Sequence, residues 1–298
     1  MASRSVVMSE KDINKLSTAQ AITKFLVKFA VYAFLGIMAI IVLFPFYWMI
    51  ISSLKSMTEY YLPVPTFFPK QLMFSNYIDA FHTANIGVLF KNTVIVGLVS
   101  TVLSLVITVI SAFAFARLEF KGKNALFAAL LATMMIPGEL FTITNYATVN
   151  TFGWMDTYTV LIVPFLVSVF YIYLLKQNFM QIPNELYLAA KVDGTSDLKY
   201  LWKVMIPLSL PTLISITILK MMGAWNSYVW PRLVANNSYP LITNGLRGAN
   251  FTSDGASDLV NYPVQMAAVA IVSFPLFLVF IFLRKYIMKG VSRSGIKG

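Results

Sequence analysis

Cysteine is absent from the 298 residues, which excludes disulfides and thiolate metal sites. Histidine occurs once, at His82, so no paired-histidine zinc site can form, and His82 reads as a polar residue of an outer loop. Charge is scarce: Asp, Glu, Lys and Arg make up 12% of the chain, roughly half the share in soluble domains. No Gly-x4-Gly-Lys-Ser/Thr phosphate loop occurs, so the chain carries no nucleotide-binding loop of that kind. Glu139 and Asp156 are too isolated to make a catalytic carboxylate pair. These absences argue against an enzyme, an intramembrane one included.

What is present is apolar. Hydrophobic residues account for 58%, leaving too little charge to clothe a soluble fold. A helix crossing a bilayer needs about 20 mostly apolar residues. Such runs are expected at 25–53, 87–116, 125–147, 157–177, 206–230 and 263–284. Pro137 and Gly138 interrupt the third, so 138–153 is expected to be a broken or re-entrant stretch on the outer side.

The net charge of +11 matters through its placement. With the N-terminus inside, 17 of the 23 Lys and Arg fall on inner segments, five on outer segments and one, Lys220, within the fifth run. The positive-inside rule therefore puts both termini in the cytoplasm. The expected division is a cytoplasmic tail at 1–24, a six-helix transmembrane domain at 25–284 and a second tail at 285–298. Arg4, Lys11 and Lys15 precede an apolar run too long for a cleavable signal, and no small-residue cleavage site comes after it. The outer stretches 54–86 and 232–262 are too long for turns and read as solvated connectors or a docking surface.

The inner segment 181–211 predicts a short helix, a tight turn and a second helix. Pro183 and Asn184 mark the start, Gly194 supplies a turn position open to positive φ, and Thr195 or Ser196 can cap the second helix. Ala189 and Ala190 leave little bulk, so another protein's surface could approach closely. The plainer alternative is an amphipathic helix on the inner leaflet.

Ala189, Ala190, Asp193, Gly194 and Val204-Met205-Ile206-Pro207 fall at the spacing of a known coupling loop. That loop has Glu-Ala-Ala, three residues, Gly, nine residues and Ile-x-Leu-Pro. The segment resembles that of ABC-importer permeases, with coupling loop 183–205. Further matches come in the family's order: Phe44 to Trp48, Ser53-Leu54-Lys55, Asn76-Tyr77, Asn92-Thr93 and Ala114 to Arg117. Met134 to Pro137, Ala224-Trp225-Asn226, Trp230-Pro231 and the tail from Tyr286 to Lys297-Gly298 come next. The tail resembles that of the second, shorter permease of maltose-type carbohydrate importers.

The resemblance implies an all-α integral membrane protein with the type I ABC importer permease fold, in a bacterial or archaeal cytoplasmic membrane. It implies a second homologous permease, a dimer of ABC ATPase subunits carrying ATP and magnesium, and an extracytoplasmic solute-binding protein. Contacts to the ATPase are expected from Glu185, Leu188, Ala189, Ala190, Asp193, Gly194 and Lys297. Leu188 departs from the family's Glu, and Glu185, one turn earlier, is the candidate to replace it.

For the solute path the candidates are Lys220, Trp225, Asn226, Tyr228 and Asn145, set against the ordinary role of Trp and Tyr as interfacial anchors. In the maltose-type pair the partner permease makes the sugar contacts. Lys220 is expected to pair with a carboxylate such as Glu139, to make a polar contact at the subunit interface, or to attract an acidic, uronate-type oligosaccharide. A secondary transporter or channel is the rival class; it would need no ATPase.

Overall fold

The computed structural model describes residues 10–235, 238–252 and 259–292, with backbone alone for 10–22 and 285–292. The expected tail contact Lys297 lies outside the described residues. In chain order the helices are α1 (Glu10–Ser53), α2 (Met57–Tyr60), α3 (Ser75–Thr83), α4 (Ile86–Arg117) and α5 (Lys123–Thr133). Next come α6 (Thr142–Thr151), α7 (Tyr158–Ile162), α8 (Val169–Met180), α9 (Asn184–Val192) and α10 (Asp197–Tyr200). The last are α11 (Ile206–Leu208), α12 (Leu210–Trp225), α13 (Val229–Val234), α14 (Ile242–Gly248) and α15 (Tyr262–Ser292). Among the described residues the sole β pairing is an isolated bridge between Thr252 and Val260.

Among the described residues three helices are long and apolar enough to span a bilayer alone, over Thr23–Ser53, Ile86–Arg117 and Tyr262–Arg284. Three more segments are bent pairs: Lys123–Thr133 with Gly138–Thr151 at 84°, Tyr158–Phe165 with Val169–Met180 at 47°, and Asp197–Leu208 with Leu210–Trp225 at 81°. Counting each pair as one span gives six.

The break in the third span is the one Pro137 and Gly138 predict; those in the fourth and fifth are additional. The expected continuous run 206–230 is corrected. The chain turns at Ser209, α12 stops at Trp225, and α13 starts separately at Val229. Proline is the physical reason. Pro164, Pro207 and Pro211 each sit in the first two positions of a new helical stretch, where a missing N–H costs nothing.

α4 is the central post, packed by α8, α12 and α14. Its buried face carries Thr93, Gly97, Ser100, Thr101, Ser104, Thr108 and Ala112. Small side chains at helical spacing let neighbouring backbones come close, as membrane helices require in the absence of a hydrophobic driving force. At Gly97 an added Cβ would stand 2.9 Å from Met221 Sδ of α12. α1 lies at the rim, packed mainly on α15, with Phe46 edge-on to Phe277 at 5.2 Å. Among the described residues, none of its most apolar window is buried.

The stretch after α1 begins as a buried polar knot, not a solvated connector. Lys55 is 2% exposed and donates to the Thr66 carbonyl, while its ammonium lies 4.6 Å from the Trp48 ring. Buried Glu59 accepts from Thr66 Oγ1 at 2.6 Å and from the Lys70 amide at 3.0 Å. Asn76 donates to the Ser53 and Lys55 carbonyls at 2.8 Å, and Tyr77 Oη lies 2.7 Å from Ser53 Oγ. Burial pushes the Lys55 ammonium below its usual range, and the Glu59 charge opposes that shift.

Candidate coupling and solute-path sites

The coupling segment is built as a helix–turn–helix on the end of α8. Pro183 precedes α9, and the left-handed φ of +69° at Gly194 stops it. The Thr195 amide reaches back to the Ala190 carbonyl at 2.8 Å and the Gly194 amide to the Lys191 carbonyl at 3.0 Å, satisfying the open end. Of the two expected caps Ser196 is the one used: its Oγ accepts from the Lys199 amide at 3.4 Å. Lys191 Nζ meets Asp197 Oδ1 at 2.8 Å and Tyr187 Oη donates to the same oxygen at 2.7 Å, clipping the two helices together.

The segment has two faces. Tyr200, Leu201 and Met205 are buried in a cluster with Ala112 and Phe113 of α4 and with Leu175 and Phe179 of α8; Tyr187 and Ala190 pack against it. The opposite face carries exposed Glu185, Leu188, Ala189, Val192 and Asp193, with Leu198 and Trp202 beyond the turn. Val192 is 88% exposed. The two alanines therefore part: Ala189 lies on the open face, and Ala190 packs inward.

In the sequence Arg117 is a cation that helps set the topology and the last residue of the Ala114 to Arg117 match; the structure adds it to this site. It sits in the last turn of α4 and donates through Nη2 to the Phe179 carbonyl at 2.9 Å and to the Ile182 carbonyl. Through Nη1 it reaches Asn184 Oδ1 at 3.4 Å. A planar fork suits such a set of acceptors. It ties the end of α8 and the start of α9 to α4. The sequence signal is its place in the Ala-Phe-Ala-Arg string.

The solute-path candidates divide between two cavities. The first, about 400 Å³, is lined by Ser100, Phe165, Ser168, Tyr171, Lys220 and Trp230 among others. The expected partner Glu139 is not the one Lys220 takes: its Nζ donates to the Phe165 carbonyl at 2.5 Å, at the break of the fourth span. The second, about 370 Å³, is lined by Trp225, Asn226, Tyr228, Thr243, Arg247 and Gln265 among others. Asn145 lies half-buried on α6 and lines neither.

Trp225 is buried, edge-on to Phe90 at 5.4 Å. Trp230 is a core residue whose indole donates to the Val160 carbonyl at 2.9 Å, so it is no interfacial anchor. The Tyr228 ring lies near the guanidinium groups of Arg232, at 5.8 Å, and Arg247, at 5.2 Å.

Asn92 and Thr93 of α4 hold the chain before α14. Asn92 donates to the Pro240 carbonyl at 3.1 Å and accepts from Tyr158 Oη at 2.7 Å; Thr93 Oγ1 accepts from the Ile242 amide at 2.8 Å.

Comparison with known proteins gives the family and the fold. Residues 99–293 match the family described as binding-protein-dependent transport system inner membrane component. The arabinooligosaccharide transport permease AraQ of Halalkalibacterium halodurans is 30% identical over 270 residues, covering 90% of this chain and 94% of that one. The polygalacturonan/rhamnogalacturonan transport permease YtcP of Bacillus subtilis is 26% identical over 287 residues, covering 90% and 97%. In fold, a bacterial ABC transporter involved in the import of the acidic polysaccharide alginate superposes with a TM-score of 0.80 at 23% identity, covering 89% of this chain and 97% of the other. The chain belongs to the family of binding-protein-dependent transport system inner membrane components, and is a multi-pass inner-membrane permease of the ABC carbohydrate-transport class.

Proposed function

We propose that this chain forms one half of the translocation pathway of an ATP-driven, binding-protein-dependent importer for a sugar or oligosaccharide. A second homologous permease supplies the other half, a pair of ATPase subunits binds ATP and magnesium, and an extracytoplasmic binding protein delivers the solute. The chain itself is a non-catalytic subunit. The solutes named for its relatives, arabinooligosaccharides among them, support a carbohydrate as cargo.

The observation that carries the reading is the two-faced coupling segment. ATPase subunits closing around ATP would seat against Glu185, Leu188, Ala189, Val192 and Asp193. Glu185 and Leu188 are both exposed one turn apart, so Glu185 supplies the carboxylate that position 188 lacks. The displacement passes through Tyr187, Tyr200 and Met205 into α4 and α8, because a close-packed cluster transmits strain instead of absorbing it. A loaded binding protein favours the outward-facing state through its differential affinity for the outer loops. The cation distribution supports a cytoplasmic side for α9 and both termini, the side on which ATPase subunits would dock.

The test is ATP hydrolysis by the reconstituted complex in liposomes, with its binding protein and a panel of oligosaccharides. Stimulation by one loaded binding protein, lost on substitution at Gly194, supports the importer. Solute flux that persists without any ATPase subunit overturns it and supports a secondary transporter.

A further inference from the structure

Half-way along the fourth span the helix stops at Phe165 and resumes at Val169, bent by 47°. A broken helix inside a membrane frees backbone groups, which is tolerated only where protein or a wet cavity satisfies them. Here the freed Phe165 carbonyl accepts from Lys220 Nζ of α12. That contact explains part of the lysine and leaves the rest. An ammonium has three N–H donors and a full charge, and a carbonyl is a neutral acceptor for one of them.

Among the described residues the ion pairs are Lys123 with Glu119 and Lys191 with Asp197; none involves Lys220. An uncompensated cation within a span is costly and ordinarily marks a ligand or pathway. Lys220 lies on the wall of the cavity of about 400 Å³, within the size range of small-molecule sites. Around it stand the Ser100, Ser168 and Tyr171 hydroxyls, and the rings of Phe165 and Trp230, edge to face at 5.5 Å. Among the described residues no carboxylate lines the cavity. The first turn of α8, capped by Ser168, lies on the same wall and favours the same sign of ligand charge.

We infer that this cavity is a subsite for an acidic carbohydrate, with Lys220 holding a ligand carboxylate and the surrounding hydroxyls and rings holding the sugar. The inference rests on the carbohydrate-import reading and adds to it a charge class and a place. The lysine then has two acceptors: the Phe165 carbonyl fixes its position, and the solute carboxylate supplies the counter-charge. A neutral sugar would leave that charge unmatched. The site would favour the acid over its neutral ester, because the ester removes the charge and keeps the rest of the molecule.

The experiment uses the purified complex of both permeases and the ATPase pair in nanodiscs, without the binding protein, so that the binding protein's own selectivity does not enter. The probes are a uronic-acid trisaccharide, trigalacturonate, and its methyl ester. The acid is expected to bind about tenfold more tightly than the ester. That preference should vanish in Lys220→Met and persist in Lys220→Arg. The unaltered complex answers the first question even if a variant fails to assemble. Equal binding of acid and ester, no binding of either, or a preference that survives Lys220→Met overturns the inference. ATP-driven uptake with the binding protein, measured in parallel, separates the two readings. Uptake of a neutral oligosaccharide with no charge preference at the cavity defeats only the subsite, whereas uptake indifferent to ATP defeats the importer.

Discussion

Arg117 and Gly194 show what single residues contribute to the helix–turn–helix segment that follows α8. Gly194 has φ +69° and open space where a Cβ would stand, so Gly194→Ala meets no clash and tests the backbone alone. The left-handed conformation should cost about 1–2 kcal/mol. Amide exchange of residues 190–200 should speed up accordingly, and binding-protein stimulation of the ATPase should fall while the transmembrane core keeps its stability. Unchanged exchange with full stimulation would show that the turn is not under conformational control. Arg117→Lys keeps the charge and loses the fork that gathers the Phe179 and Ile182 carbonyls. Charge-assisted bonds at a partly wet edge are worth about 1–2 kcal/mol together. Exchange protection over 179–187 should drop by that amount, and coupling should weaken more than assembly does. If Arg117→Lys couples normally, the strut is structural decoration.

At the level of elements, α9 and α10 are held by the Lys191–Asp197–Tyr187 clip. Lys191 first, and then the Tyr187 hydroxyl, hold the Asp197 carboxyl below the usual carboxylate range, while Asp197 raises Lys191. The lowered carboxylate contributes above its unfolded pKa and is lost as pH falls through the folded one. The raised ammonium contributes below its unfolded pKa and is lost as pH rises through the folded one. The clip is therefore complete across roughly pH 5–9, since the reference values lie near 3.9 and 10.4. Exchange protection of residues 187–200, corrected for intrinsic rates, should be flat over that window and decline both in stronger acid and in stronger base. Asp197→Asn should remove the acid step, and a step near neutrality instead would assign the turn to other groups.

These elements also mark where sequence reading stops. The six apolar segments are legible because bilayer thickness imposes their length, and the third break because Pro137 and Gly138 interrupt a run. The breaks at 166–168 and Ser209 carry proline signals in Pro164, Pro207 and Pro211. Proline suits the first turn of a helix as well as a kink, so its presence does not locate a bend. Lys55 counts by sequence as a solvated cation; its acceptor, the Thr66 carbonyl, is a tertiary contact that no local pattern announces.

Across the whole molecule, straight and bent segments divide the labour. α1, α4 and α15 run unbroken, while the three bent segments carry the Lys220 cavity, the coupling turn and the stretch around Pro137. Rigid posts beside hinged levers suit a machine in which a push at α9 must reach a cavity in the span. The same division predicts which surface disappears on assembly. Because the chain has no cysteine, single introduced thiols report without background. Val192→Cys and Leu198→Cys stand on the exposed face of the coupling segment, at 88% and 63% exposure, and should react freely with a water-soluble maleimide in the isolated permease. Ala190→Cys, packed against the cluster of α4 and α8, should react slowly in either state. When the ATPase subunits are bound, the rates at 192 and 198 should fall by about tenfold or more, as expected for side chains enclosed in a well-packed interface. Equal labelling with and without the ATPases would mean that this face meets solvent or lipid, and the amphipathic-helix alternative would replace the coupling one.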